Sequence, residues 1–169
     1  MLIRKLTEDD IEALWSLRLR ALRDNPEAFG STYEETLQRG KESYRQRLRQ
    51  PHAETFYIGA FEEESLVGMV GFFRENGLKG QHKGYIISMF VAPEQRGKGV
   101  GKALVTEAIA QARTIPGVEQ LHLAVVTTNT AARQLYQSLG FEVYGLEPRA
   151  LKQGGQYWDE ELMVLRLHA

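Results

Sequence analysis

The chain has 169 residues, with 21 Lys and Arg against 22 Asp and Glu, for a formal net charge of -1. Near-neutral charge argues against a protein whose main task is to hold nucleic acid or an anionic membrane. The absence of cysteine excludes disulfides, thiolate nucleophiles and cysteine-ligated metal centres.

That length fits a single domain, 1–169, which on folding can remove roughly two-thirds of its unfolded surface from water. Leu2 to Leu6 alternates apolar residues and reads as a strand. Thr7 has the character of a helix N-cap, with Glu8, Asp9 and Asp10 where the helix dipole favours negative charge. Ile11, Leu14, Trp15, Arg18 and Leu22 then follow helical spacing, Arg18 being the exception on an apolar face, and Asn25-Pro26 ends the helix. Pro26 to Thr36 reads as irregular. A second helix is expected from about Glu34 to Arg49, with Leu37, Tyr44 and Leu48 inward and Arg39, Lys41, Arg45, Arg47 and Arg49 on a solvated face.

The middle of the chain turns to β-branched and aromatic residues. Thr55 to Phe61, Ser65 to Arg74 and Tyr85 to Val91 predict an antiparallel three-stranded meander, with Glu75 to Gly84 as the second connection. Helical period returns from Val100 to Ala112, closed by Pro116-Gly117. A strand (Glu119 to Val126), a helix (Asn129 to Leu139, stopped by Gly140) and a strand (Phe141 to Gly145) follow. A last strand spans about Tyr157 to Leu167 after the Gly154-Gly155 turn. The Met1 to Asp10 segment has no apolar stretch of a secretory leader, which makes the cytoplasm the expected location.

Sixteen glycines exceed by about four the number expected at the usual frequency, roughly 7%. Three of them fall within five residues, in Arg96-Gly97-Lys98-Gly99-Val100-Gly101-Lys102, between a predicted strand and a predicted helix. Glycines there let backbone N–H groups converge on an anion at the positive end of a helix, and Arg96, Lys98 and Lys102 add charge. A Walker A loop fails at two positions, Arg96 in place of its first glycine and Ala103 in place of Ser or Thr. The dinucleotide pattern G-x-G-x-x-G meets Lys102 or Leu104 at its last position.

The pattern that is met is R-x-x-G-x-G, by Arg96, Gly99 and Gly101. It resembles the coenzyme A pyrophosphate loop of the GNAT superfamily of N-acetyltransferases. Ser88 to Pro93 is similar to the strand that enters that loop. Asn129-x-x-Ala132-x-x-Leu135-Tyr136-x-x-Leu139-Gly140-Phe141 is similar to a second signature segment. The element order β-α-α-β-β-β-α-β-α-β-β is also the family's, and it implies a mixed α/β fold with a mostly antiparallel sheet splayed between strands 4 and 5.

No two of the four histidines, His52, His82, His122 and His168, have helical metal-ligand spacing, so no metal site is expected. The resemblance implies acetyl-CoA as co-substrate. Backbone groups of Met89, Phe90 and Val91 would bond the pantetheine arm. Arg96, Gly97, Lys98, Gly99, Val100, Gly101 and Lys102 would hold the pyrophosphate, and the Asn129 side chain would bond the arm. It places Tyr136 as the acid near the departing sulfur. An unperturbed phenol near 10 is a weaker acid than a thiol near 8.5, so Tyr136 needs a lowered pKa or acts as a hydrogen-bond donor only. No carboxylate stands on Tyr85 to Ser88, where relatives often carry a base. Ser88 through water, Glu34, Glu35, His82 and His122 are the alternatives.

The acceptor follows from neither motif. A small-molecule amine is preferred, with a protein N-terminus or lysine, or a non-catalytic acyl-CoA sensor, as rivals. Its pocket is expected from 25–36, 75–84 and 145–156, with Tyr33, Glu34, Arg149 and Tyr157 as candidate lining residues. Exposed late strands point to a homodimer.

Overall fold

A computed structural model describes residues 1–49 and 54–168, so His52 lies outside the described residues. Seven strands form one sheet in the order β1-β2-β3-β4-β5-β7-β6: β1 (Leu2–Lys5), β2 (Thr55–Glu62), β3 (Ser65–Arg74), β4 (Lys83–Val91), β5 (Gln120–Val126), β6 (Glu142–Gln153) and β7 (Gln156–Arg166). Every pairing is antiparallel except β4 with β5. Five helices cover its faces: α1 (Ile11–Asp24), α2 (Tyr33–Arg39), α3 (Glu42–Arg49), α4 (Val100–Arg113) and α5 (Thr130–Ser138).

The expected meander is present, and the sheet's one parallel pairing shapes the site. β4 meets β5 only over Lys83–Tyr85 against Gln120–His122, after which the strands part. A bulge on β4 accompanies the parting. The register with β3 jumps from Gly71–Ile87 to Met69–Phe90, and Ser88 within the bulge has φ 57°. A β-branched or bulky side chain would resist that left-handed backbone; serine adopts it at modest strain.

Two apolar clusters lie on opposite faces. Leu104, Val105 and Ala108 of α4 are buried with Ile58, Val70, Phe72, Leu121, Leu123 and Met163 of the sheet. Across the sheet, Leu14, Leu17 and Ala21 of α1 and Tyr44 of α3 pack on Tyr57, Met69 and Phe90. Each fully buried leucine contributes about 2–3 kcal/mol relative to exposure.

Three expectations change. The helix expected over Glu34–Arg49 is two helices, broken at Gly40, whose φ of 77° no helical residue adopts. The break resets the helical phase, and Leu37, expected inward, is 49% exposed, while Tyr44 is buried as expected. α2 begins earlier than expected because Thr32 caps it: Glu35 N donates to Thr32 Oγ1 (3.1 Å) and Thr32 N to Glu35 Oε2 (3.2 Å). Finally, 145–156 is not irregular. β6 and β7 run on as a long ribbon to the Gly154-Gly155 turn, with bulges at Val143/Gly145 and Glu147/Leu151. Two bulges and the exposure of most of its residues remove the strand period from that stretch of sequence.

Among the described residues, no helix is long and apolar enough to cross a membrane.

Candidate active site

Where β4 and β5 part lies a cleft of about 420 Å³. Met89, Phe90 and Val91 form one wall, and Val126, Asn129, Ala132 and Leu135 the other. Gly97, Gly99, Val100, Gly101 and Lys102 close one end, and Asn25, Glu27 and Phe29 border it from the α1–α2 connection. Most residues expected to bind the cofactor therefore converge. Lys98 does not line the cleft; its Nζ donates to Gln95 Oε1 (3.1 Å).

The glycine loop fits a pyrophosphate on its own geometry. Gly97 and Gly99 have φ of 77° and 80°, and a Cβ on either would meet nothing within 4 Å. The loop is thus glycine-rich for its backbone conformation and for open approach to its surface. The first intrahelical bond nearby runs from Ala103 N to Gly99 O (3.1 Å), so the N–H groups of Val100, Gly101 and Lys102 stand at the start of α4 as anion donors. Gly101 has a different reason: a Cβ there would come within 2.9 Å of Met89 Cε and 3.3 Å of Leu135 Cδ2.

Arg96 does more than add charge. Its Nε donates to Val91 O (2.9 Å), its Nη2 to Asn25 Oδ1 (3.0 Å), and its Cζ lies 5.5 Å from the Phe90 ring centroid. It braces the loop against β4 and the end of α1. A second tie is the two-pronged pair of Arg20 with Glu94 (2.9 and 2.8 Å), which holds the Glu94 carboxyl down at about 2. Asn129 caps α5, its Oδ1 accepting from Ala132 N (3.2 Å), which leaves its amide N–H groups for a ligand.

Tyr136 is 6% exposed, belongs to the α4 side of the core, and meets Phe141 edge-on at 5.8 Å. It is not part of the cleft wall. Burial alone pushes its phenol up, with no charge or hydrogen bond offsetting it. A lowered pKa is therefore not what this fold supplies, and a neutral hydrogen-bond donor is the role consistent with the surroundings.

The base candidates separate. The Glu35 carboxylate is engaged in capping α2, and Glu34 is exposed on that helix. Neither Tyr33 nor Glu34 lines the cleft. Arg149 and Tyr157 pair with each other on the β6–β7 ribbon, Cζ 4.6 Å from the ring centroid. His122 is held down by burial and by Lys83 and bonds to Gln120 (2.7 Å) and Tyr144 (3.2 Å). Ser88 lies in the bulge, beside Met89.

A residue that the sequence did not single out is Glu160. It pairs across the β5–β7 ladder with Val126 of the cleft wall and across the ribbon with Glu147. Strand alternation puts it opposite the face of Met163 and Glu161, on the side covered by α1. Burial first, then the Glu147 charge, holds its carboxyl above the ordinary range. Sequence offered only a run of acidic residues, Asp159-Glu160-Glu161, whose middle member changes face by the period-2 rule. Asn25 and Phe29 fall in the 25–36 segment from which the acceptor pocket was expected.

The model of the acetyltransferase (GNAT) family matches residues 14–141. A mycothiol acetyltransferase from Thermobispora bispora is 34% identical over 138 residues, 78% of this chain and 43% of that protein, so this chain spans less than half of its relative's length. The N-alpha-acetyltransferase RimI of Mycobacterium tuberculosis is 34% identical over 113 residues, 67% of each chain. A phosphinothricin acetyltransferase from Sinorhizobium meliloti, solved in complex with acetyl-CoA, superimposes with a TM-score of 0.82 at 22% identity, covering 98% of this chain and 87% of that one. The splayed sheet, the glycine loop at its mouth and the family match over most of the chain have one reading: this chain belongs to the GNAT acetyltransferase family.

Proposed function

We propose that the chain transfers an acetyl group from acetyl-CoA to a primary amine of a small molecule, by direct attack in a ternary complex. The observation that carries this is the cleft itself, which lies where β4 and β5 part and is bordered by the glycine loop, α5 and the α1–α2 connection. A cofactor held by the loop would meet the acceptor between β4 and β5.

Acetyl-CoA would supply the activated acyl group, and the protein's residues manage orientation, charge and protons. Beyond Tyr85 the β5-facing edge of β4 has no strand partner, leaving main-chain groups of Met89 to Val91 to align an amide-bearing arm. An N–H there can polarise the acyl carbonyl, the contribution that usually dominates acyl transfer. Tyr136 donates a hydrogen bond toward the departing sulfur. Glu160, on the acceptor side and with a raised pKa, accepts the proton of the attacking amine, directly or through water.

Small amines are favoured over protein N-termini because half-buried Phe29 and the α1–α2 connection narrow the acceptor entrance. The test is acetyl-CoA-dependent release of CoA with a panel of small amines and N-terminal peptides. Release driven by a small amine is expected. Release with peptides alone would move the acceptor to proteins, and tight acetyl-CoA binding without any amine-dependent release would leave a sensor.

A further inference from the structure

We propose that Arg18 binds a carboxylate on the acceptor, so that the amine acetylated here is an amino acid or a related carboxylate-bearing amine. The inference rests on the acetyl-transfer reading above. Arg18 is the polar interruption on the apolar face of α1, and it is 6% exposed. Its Nε donates to Tyr44 Oη (3.0 Å), and its Cζ lies 4.8 Å from the Phe29 ring centroid. Its Nη1 is buried and has no hydrogen-bond partner among the described residues.

The neighbouring cation makes the deficit larger. Arg47 reaches into the same layer, donating to Tyr57 Oη (2.9 Å) with its Cζ 5.2 Å from the Tyr44 ring centroid. Neither guanidinium takes part in an ion pair among the described residues, whereas Arg20, Lys41, Arg45 and Arg49 of the same helices and their connection all do. Carboxylates thus serve those four cations, exposed Arg39 has none among the described residues, and Arg18 and Arg47 have only phenols and ring faces. A buried charge without a counter-ion is costly, and an unmet guanidinium N–H adds its own desolvation penalty. A buried donor of this kind calls for a partner.

The position of Phe29 connects this deficit to the cleft. Its ring packs on the guanidinium and also lines the cleft. A ligand that turns the ring aside reaches Nη1 from the acceptor side. A carboxylate oxygen there would neutralise Arg18 and accept its free N–H in a charge-assisted bond. A polyamine would bring more positive charge to a layer already in excess, which disfavours it. Glu160, on the same face of the sheet but outside the cleft lining, is the acidic group assigned above to the acceptor's amine.

Two measurements on the full chain test this. The first compares kcat/KM for CoA release with a panel of amino acids against their primary amides. The second titrates N-acetyl amino acids and their amides into the protein–CoA complex by calorimetry. The acid is expected to exceed the amide by at least about tenfold in both, the size of one charge-assisted hydrogen bond. In Arg18→Met the ratio falls to near one, mainly through KM, and Arg18→Lys restores part of it. Acids and amides used equally by the unaltered protein, or an undiminished ratio in Arg18→Met, would overturn the proposal while leaving acetyl transfer intact. Arg18-dependent binding of N-acetyl acids without turnover of any amine would instead keep the carboxylate site and sink acetyl transfer. The comparison in the unaltered protein stands even if Arg18→Met fails to fold.

Discussion

The two faces of the sheet are built on different terms. Under α4 the core is almost wholly aliphatic and aromatic, closed over Leu104, Leu121 and Met163, each with no exposed surface. Under α1 and α3 the layer mixes apolar side chains with two guanidiniums and two tyrosine hydroxyls, and one polar atom there has no partner. The first face is complete without a ligand and serves as the anvil for the glycine loop. The second is incomplete in charge among the described residues, and it is there that the proposed acceptor carboxylate would sit. Rigid scaffold and adaptable site are thus divided between two sides of one sheet.

Substitutions can break this contrast. The largest effect is expected on the scaffold face, where Leu104→Ala should lower stability by about 3 kcal/mol, in the range for a buried leucine that leaves a cavity. Chemical denaturation measures it, and a loss under 1 kcal/mol would mean that α4 is packed less tightly than its neighbours indicate. On the other face, Glu160→Gln should cost on the order of 10² in kcat/KM at neutral pH, as expected for removal of a general base. The pH dependence carries a sign. The Glu160 carboxyl is raised, so activity should climb through a value above the ordinary carboxylate range as the base ionises. Glu147→Gln should move that limb to lower pH, since it removes the second cause of the shift. A limb that stays in place in Glu160→Gln would assign the base elsewhere, with His122 next in line.

A smaller change is expected at the seam between the faces. Tyr136→Phe should reduce turnover about tenfold while acetyl-CoA affinity changes little, as loss of one hydrogen bond in the reacting state implies. Unchanged turnover would return Tyr136 to a packing role against Phe141. Smallest of all, Glu94→Gln should raise the Kd for acetyl-CoA by about two- to threefold, because an exposed pair contributes little beyond positioning. Titration in low and high salt would check this, and an effect as large as that of Tyr136→Phe would show that the Arg20–Glu94 tie orders the whole loop.

Legibility in the sequence followed the range of the interactions. The glycine loop, the stop of α5 at Gly140 and the β-branched and aromatic runs of β2 and β3 are set by neighbours within a few residues, and each was readable. The break at Gly40 was missed because the helical period continues on both sides of one left-handed residue. The stretch of β6 beyond Gly145 was missed because most of it is exposed and two bulges break its period. Arg18 was visible as an anomaly on an apolar stripe, but its partners, Tyr44 and Phe29, are 26 and 11 residues away. Tyr136 was found by pattern, yet its environment, which sets the direction of its pKa, arises from α5 packing on the sheet.

Sequence alone determined the order of the elements, the loop that suits a pyrophosphate and the impossibility of a protein thiol in the chemistry. These depend on local backbone preference and on which atoms the chain contains. Tertiary structure decided where β4 and β5 part, which face of the sheet Glu160 takes and, among the described residues, which buried cation has no counter-ion. Those depend on register and burial, where a shift of one position along a strand changes a side chain's face and its solvent together.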